Sequence, residues 1–159
     1  GPIPLPCWRA AAMLDCAYLN LLGRVLLGLI FLISGINKIA DPQGTQHYMV
    51  LMGMTTMTTL FYIGAVAIEI VGSLSLLLGY RTRLGAWLLF VFMIPTTLVF
   101  HTDFDDQNQM IHFMKNLAMM GGLLYVAQYG GGRLSMDAGL KPLERTEEPH
   151  RPLRKVVHQ

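Results

Sequence analysis

The amino-acid sequence predicts an all-α membrane protein, an antiparallel four-helix transmembrane bundle with an amphipathic outer segment between helices one and two. Three observations carry this. Of the 159 residues, 53% are hydrophobic and only 14% charged, against ~25% charged in an ordinary soluble domain. The charges leave four long apolar stretches, at 20–39, 60–79, 84–100 and 111–128, each close to the ~20 residues a helix needs to cross a ~30 Å hydrocarbon core. The connections after the second and third stretches are short, which favours an up-and-down order. A soluble helical protein could bury one such helix; four in succession with so little polar surface fit a bilayer.

Span one, "NLLGRVLLGLIFLISGINKI", places Asn20, Arg24, Gly28, Phe31, Gly35 and Lys38 at three- and four-residue spacing. That spacing is one helical face, and it gathers nearly all the polar and small residues of the span. The segment 41–57, "DPQGTQHYMVLMGMTTM", reads as an amphipathic lid in the headgroup region, with methionines filling irregular space. A Cu(I) site on its thioethers is the less favoured alternative. Span two repeats the pattern: Tyr62, Ala65, Glu69, Gly72 and Ser73 share a face, and Ile63, Ile70, Val71, Leu74 and Leu78 fall mostly elsewhere. Membrane helices meet through small residues, so Glu69 is expected to point into the bundle. In span three, Pro95 should kink the helix, with Thr96 and Thr97 beside it to satisfy freed carbonyls. Span four opens with His112, Lys115 and Asn116, with Met119 and Gly122 on a similar face.

Arg81 and Arg83 fall between spans two and three, and Arg133, Lys141, Arg145, Arg151, Arg154 and Lys155 follow span four. The connection "HTDFDDQNQ" between spans three and four has no lysine or arginine. The positive-inside rule therefore puts both termini in the cytoplasm of a multi-pass protein of the inner (cytoplasmic) membrane. Trp8, Tyr18, Tyr80, Trp87, Tyr125 and Tyr129 would form an aromatic belt on that side. The expected organisation is an N-terminal cytoplasmic segment (1–19), a four-helix transmembrane domain (20–137) and a charged cytoplasmic tail (138–159). Cys7 and Cys16 are not spaced as CxxC, which excludes zinc-ribbon and thioredoxin-type readings. No basic-aromatic stripe points to nucleic acid.

Glu69 is the chemical question. A carboxylate at mid-membrane costs about 2.5–3.5 kcal/mol on insertion scales. Arg24, about five residues inward of the middle of span one, and Lys115, a similar distance outward in span four, could each bend a head group toward it. The pair would either set helix register or make Glu69 a proton-relay carboxylate. At the outer surface, His47, His101 and His112 stand near Asp103, Asp105 and Asp106 as a weak candidate metal set. No H-x₃-H or HExxH spacing supports it.

The segments "RVLLGLIFLISGINKI" (24–39), "EIVGSLSLLLGYRTRLGAWLL" (69–89) and "KNLAMMGGLLYVA" (115–127), in that order, resemble the DoxX family of small four-helix membrane proteins. The resemblance covers about residues 20–137, and the family's polar positions match Arg24, Lys38, Glu69, Arg83, Lys115 and Asn116. It implies a quinone role, since the family takes its name from a subunit of an archaeal quinol oxidase, also described as thiosulfate:quinone oxidoreductase. On that reading the ligand-binding set is Arg24, Lys38, Glu69, His101, Lys115 and Asn116, and Phe31 and Phe90 would line a slot for the quinone tail. No haem, flavin or iron–sulfur motif is present, so electrons would come from a redox partner subunit. The alternatives are an accessory or scaffold protein binding a membrane partner through its small-residue faces, and a small metal or solute transporter.

Overall fold

The computed structural model describes residues 7–139, with side chains from residue 16 onward. The described residues form helices α1 (Cys7–Ala40), α2 (Pro42–Leu51), α3 (Thr58–Leu78), α4 (Thr82–Phe100), α5 (Gln107–Tyr129) and the single turn α6 (Met136–Gly139), and no strand. The tail from 140 onward and the side chain of Trp8 lie outside the described residues.

α1 begins well before the expected start of span one. No glycine or proline interrupts the chain between Cys7 and Leu22, so nothing stops the helix from extending past the apolar run. Its 34 residues at 1.5 Å each measure about 51 Å, longer than a hydrocarbon core. Among the described residues three helical segments are long and apolar enough to cross a membrane: Cys16–Ala40 within α1, Thr58–Leu78 and Thr82–Phe100. α5 has the length, at 23 residues, but its first half carries Gln107, Asn108, Gln109, His112, Lys115 and Asn116. It therefore falls outside that set.

The helices meet where small residues let backbones approach. A Cβ on Gly28 of α1 would come within 2.9 Å of the Leu77 side chain of α3, and one on Gly35 within 2.8 Å of Ile70. On the next interface, a Cβ on Gly72 of α3 would lie 2.5 Å from Leu89 of α4, and Gly85 faces Ser75. α5 joins α4 through a hydrogen bond from Asn116 to Thr97 and approaches α1 where Gly122 faces Leu27. Between them lies a core of Phe31, Leu76, Ala86, Leu89, Met93 and Leu123, against which Phe90 packs. The outward faces stay apolar: Leu22, Leu26 and Ile33 of α1 and Val71, Leu74 and Leu78 of α3 are all exposed. That is the surface a lipid-facing helix presents.

The periodicity located the inward faces of α1 and α3. Arg24, Gly28, Phe31 and Gly35 are buried with Asn20 and Lys38 half-buried, and Ala65, Glu69, Gly72 and Ser73 are buried on α3. On α5, Asn116 is buried and Lys115 and His112 are exposed, so two residues of the expected face point outward.

α2 starts at a built N-terminus: Asp41 accepts a hydrogen bond from the Gly44 amide at 2.9 Å, with Pro42 in the first turn. This is the Asx cap and N-terminal proline that helices favour. Met49 is buried beneath it, and Tyr48 stacks on Phe100 at 5.7 Å, which seats α2 against the end of α4. Pro95 lies within a helix that continues to Phe100. Thr96 bonds the Phe92 carbonyl, one turn behind itself, while Thr97 is the acceptor for Asn116. Neither threonine takes the Val91 carbonyl that Pro95 leaves free.

Candidate functional site

The first polar cluster lies between α1 and α3. Lys38 Nζ donates to both oxygens of Glu69 at 2.9 Å and to Ser34 Oγ at 2.7 Å, and the Ser34 hydroxyl donates to Glu69 Oε1 at 3.1 Å. Tyr62 closes the group by donating to the Lys38 carbonyl at 3.0 Å. The Glu69 side chain is 5% exposed and that of Lys38 is 23% exposed. A carboxylate near the middle of an apolar helix is thus matched by an ammonium and a hydroxyl from the neighbouring helix.

This corrects the expected partner of Glu69. Arg24 and Lys115 stood nearer in estimated depth, yet neither reaches it. Side chains on a helix lean toward its N-terminus. Lys38, near the C-terminal end of α1, leans back over Ser34 into the protein. Arg24 leans the same way, toward Asn20, and that carries it away from Glu69, while Lys115 is exposed.

Arg24 instead centres a second cluster, near the middle of α1 and against the last turn of α3. Its guanidinium donates to Asn20 Oδ1 at 3.1 Å, to the Leu76 carbonyl at 2.8 Å and to the Leu134 carbonyl at 2.6 Å, and the residue is 1% exposed. Leu76 belongs to the last turn of α3, whose carbonyls lack intrahelical partners. A cation there also meets the negative end of the helix dipole. The αL glycine that ends α3, Gly79 (φ 70), leaves room for the guanidinium: a Cβ there would sit 2.7 Å from Arg24 Nη1.

Asp137, which sequence reasoning missed, completes this end. Its carboxylate accepts from the Arg81 amide at 2.7 Å, and from the Thr82 amide and hydroxyl at 2.9 and 2.8 Å, while its own amide donates to the Gly79 carbonyl at 2.9 Å. It is the N-terminal cap that α4 lacks locally, since Arg81 supplies no side-chain cap. Burial pushes the Asp137 carboxyl upward. The hydrogen bonds from Thr82 and Arg81, with the nearby Arg24 charge, outweigh that and hold it below its ordinary value. Asp137 is the first acidic residue after Asp106, but nothing beside it in the sequence points to a partner 55 residues away.

The remaining candidates do not join these clusters. Asn116 is tied to Thr97 at 3.0 Å. His101 bonds Gln109 at 2.8 Å and stacks on His112 with ring centroids 5.2 Å apart, at the turn between α4 and α5. His47 is exposed on α2. Among the described residues no three His, Cys, Asp or Glu side chains gather to hold a metal ion, so His47, His101 and His112 do not form the candidate metal set. Phe31 is buried in the core with Phe90 against it, which fills the place expected for a quinone-tail slot.

The DoxX sequence profile matches residues 19–102, just over half the chain and the part that holds both Arg24 and the Lys38–Glu69 pair. The chain belongs to the DoxX family. This DoxX-family protein is 35% identical over 117 residues to the inner membrane protein YqjF of Escherichia coli K12, covering 74% of this chain and 88% of that one. It is 33% identical over 124 residues to the inner membrane protein YphA of the same organism, covering 75% and 88%. No solved structure matches it. With three helices able to cross a membrane and relatives of this kind, it is an integral inner-membrane protein.

Proposed function

We propose that this DoxX-family chain is an accessory, quinone-associated subunit of a membrane oxidoreductase, with Lys38, Ser34 and Glu69 as the polar contact for a quinone head group. The observation that carries this reading is the ion pair itself: an ammonium and a carboxylate held 2.9 Å apart between two apolar helices. Intramembrane ionisable residues are costly and tend to mark ion, proton or ligand paths. The residues fit such a head group by one exchange. Lys38 has three N–H donors, matched by Ser34 and the two Glu69 oxygens. Ser34 already donates to Glu69, so it can release the ammonium to a quinone carbonyl and stay bonded. A bound quinone would supply two-electron, two-proton redox chemistry, with electrons delivered by a partner subunit that carries the redox centre. This chain's residues would orient the head group through Lys38 and hold or pass a proton at Glu69 Oε1 or Oε2.

A second reading has its own support. Every buried side-chain nitrogen and oxygen among the described residues already has a partner, as expected if Lys38–Glu69 only staples α1 to α3. Scaffold binding through Gly28 and Gly72 draws no support from their positions, because both are spent on contacts inside the chain.

The architecture proposed with this function is an antiparallel four-helix bundle in which α5 is the fourth span. Its support is the register of the contacts: Gly28 with Leu77 and Gly35 with Ile70, Gly72 with Leu89 and Gly85 with Ser75. Charge bias supports placing both termini in the cytoplasm. The bonds from Arg24 to Leu134 and from Thr82 to Asp137 support extending the domain to residue 137. The deciding experiment copurifies the protein with its partners in mild detergent and measures quinone turnover for Glu69→Gln, Lys38→Met and the double variant. Loss of turnover in all three, with the complex intact, supports the quinone role. Recovery in the double variant leaves only the staple.

A further inference from the structure

Two cavities adjoin at the Arg24 end of the molecule. The first, about 660 Å³, is lined by Arg81, Arg83, Arg133, Tyr129, the Gly130–Gly132 turn and Asp137. The second, about 700 Å³, is an apolar groove between α3 and α4, lined by residues such as Val71, Leu74, Leu78, Trp87 and Val91. Arg81 and Leu84 line both, so the arginine-lined basin opens onto the groove. Each has the size of an ordinary small-molecule site.

The basin is built from the ends of three elements. α3 stops at Gly79 and α4 starts at Thr82, which puts Arg81 and Arg83 on one wall. α5 stops at Tyr129 and the chain turns through Gly130–Gly132, which brings Arg133 to the other wall. Arg83 reaches across to this turn: a Cβ on Gly130 would lie 3.2 Å from its Nε. The guanidinium of Arg81 stands over the Tyr80 ring, 5.9 Å from its centroid. Asp137 is the opposing charge, but its oxygens are taken by Arg81 and Thr82 and Arg24 stands close behind it.

From this arrangement we infer that the joined cavities are a binding site for one anionic glycerophospholipid, its phosphate among Arg81, Arg83 and Arg133 and an acyl chain along the α3–α4 groove. The charges favour this class because guanidinium forks bind phosphate bidentately and are weakly hydrated. The groove favours a lipid over a free phosphate, since its wall is apolar and faces the bilayer. Tyr80 and Trp87, both about half-exposed, line the groove, with Tyr80 next to the shared Arg81, as interfacial aromatics would. Basic pockets between spanning helices on the cytoplasmic side bind anionic head groups in general, and charge bias assigns this end to that side. The site is separate from Lys38 and Glu69, and it stands or falls without the quinone reading.

The test uses the full chain in neutral detergent, with phosphatidylglycerol, phosphatidylcholine and soluble glycerol phosphate as probes. Retained lipid is read by native mass spectrometry and stabilisation by thermal shift. Phosphatidylglycerol should bind about tenfold more tightly than phosphatidylcholine or better, and the preference should weaken as salt rises. Arg83→Gln with Arg133→Gln should abolish it, while Arg83→Lys with Arg133→Lys should keep part of it and controls for folding. Equal binding of the two lipids, or a preference untouched by the glutamine pair, overturns the inference. Displacement of phosphatidylglycerol by glycerol phosphate at equal concentration also overturns it, because the site would then hold a free phosphate and not a lipid.

Discussion

Lys38 and Glu69 are joined at 2.9 Å through both carboxylate oxygens, from the end of one apolar helix to the middle of the next. Removing one partner leaves the other charge in an apolar setting. Removing both leaves a neutral pair that the same space accommodates. Breaking a buried ion pair costs about 3–5 kcal/mol, whereas replacing both members is often near neutral. Lys38 is partly exposed, so Glu69→Gln or Lys38→Met should each cost about 3 kcal/mol, at the lower end. The Lys38→Met/Glu69→Gln double variant should recover most of that. Thermal unfolding of the four proteins in one detergent completes the cycle, and simple additivity would show that the pair does not couple.

Arg24 satisfies two carbonyls from different parts of the chain, Leu76 and Leu134. Arg24→Met strips both and should destabilise the protein by about 2–4 kcal/mol. Arg24→Lys keeps the charge but loses the planar fork, so it should recover only part of the loss. Protease sensitivity of the chain after residue 130 is a second readout, because the Leu134 bond ties that segment to α1. If Arg24→Met leaves cleavage there unchanged, the tie does not hold that segment.

The glycines divide into two groups that substitution should separate. A Cβ on Gly72 would meet Leu89 at 2.5 Å, whereas Gly23, Gly64 and Gly121 have nothing within 4 Å. Gly72→Ala should therefore cost about 1–3 kcal/mol through overpacking. Alanine at the three open positions should be neutral or stabilising by up to about 1 kcal/mol, from helix propensity. Melting temperatures of the four single variants check this, and a neutral Gly72→Ala would show that α3 and α4 have slack where the structure has none.

The inward faces of α1 and α3 were legible in the sequence because one side of each helix holds most of its small and polar residues. The partner of Glu69 was not, although its signal was available. Depth along the membrane places Arg24 and Lys115 nearer than Lys38, and only the N-terminal lean of helical side chains, which brings Lys38 back toward mid-helix, reverses that order. Asp137 was harder to see. Its role depends on the turn at Gly130–Gly132 folding back onto the start of α4, a contact between residues 55 apart in sequence, and no local pattern announces that. The histidines show the opposite failure: shared depth suggested a metal set, but only His101 and His112 stack, and no three such side chains gather among the described residues.

Asp137 also makes the stability of this end depend on pH, and the sign follows from its bonding. The carboxyl is held below its ordinary value by Thr82, Arg81 and Arg24. A group with a lowered folded pKa stabilises the protein above its unfolded pKa, about 4 for aspartate, and that contribution is lost as pH falls through the folded value. The protein should hold constant stability from this source near neutral pH and lose it in acid below about pH 4. Asp137→Asn should remove that acid-sensitive part and cost about 1 kcal/mol at neutral pH through the weakened cap of α4. Unfolding midpoints of both proteins from pH 3 to 7 provide the measurement. The two curves should converge as pH falls, and parallel curves would mean that the cap holds without its charge.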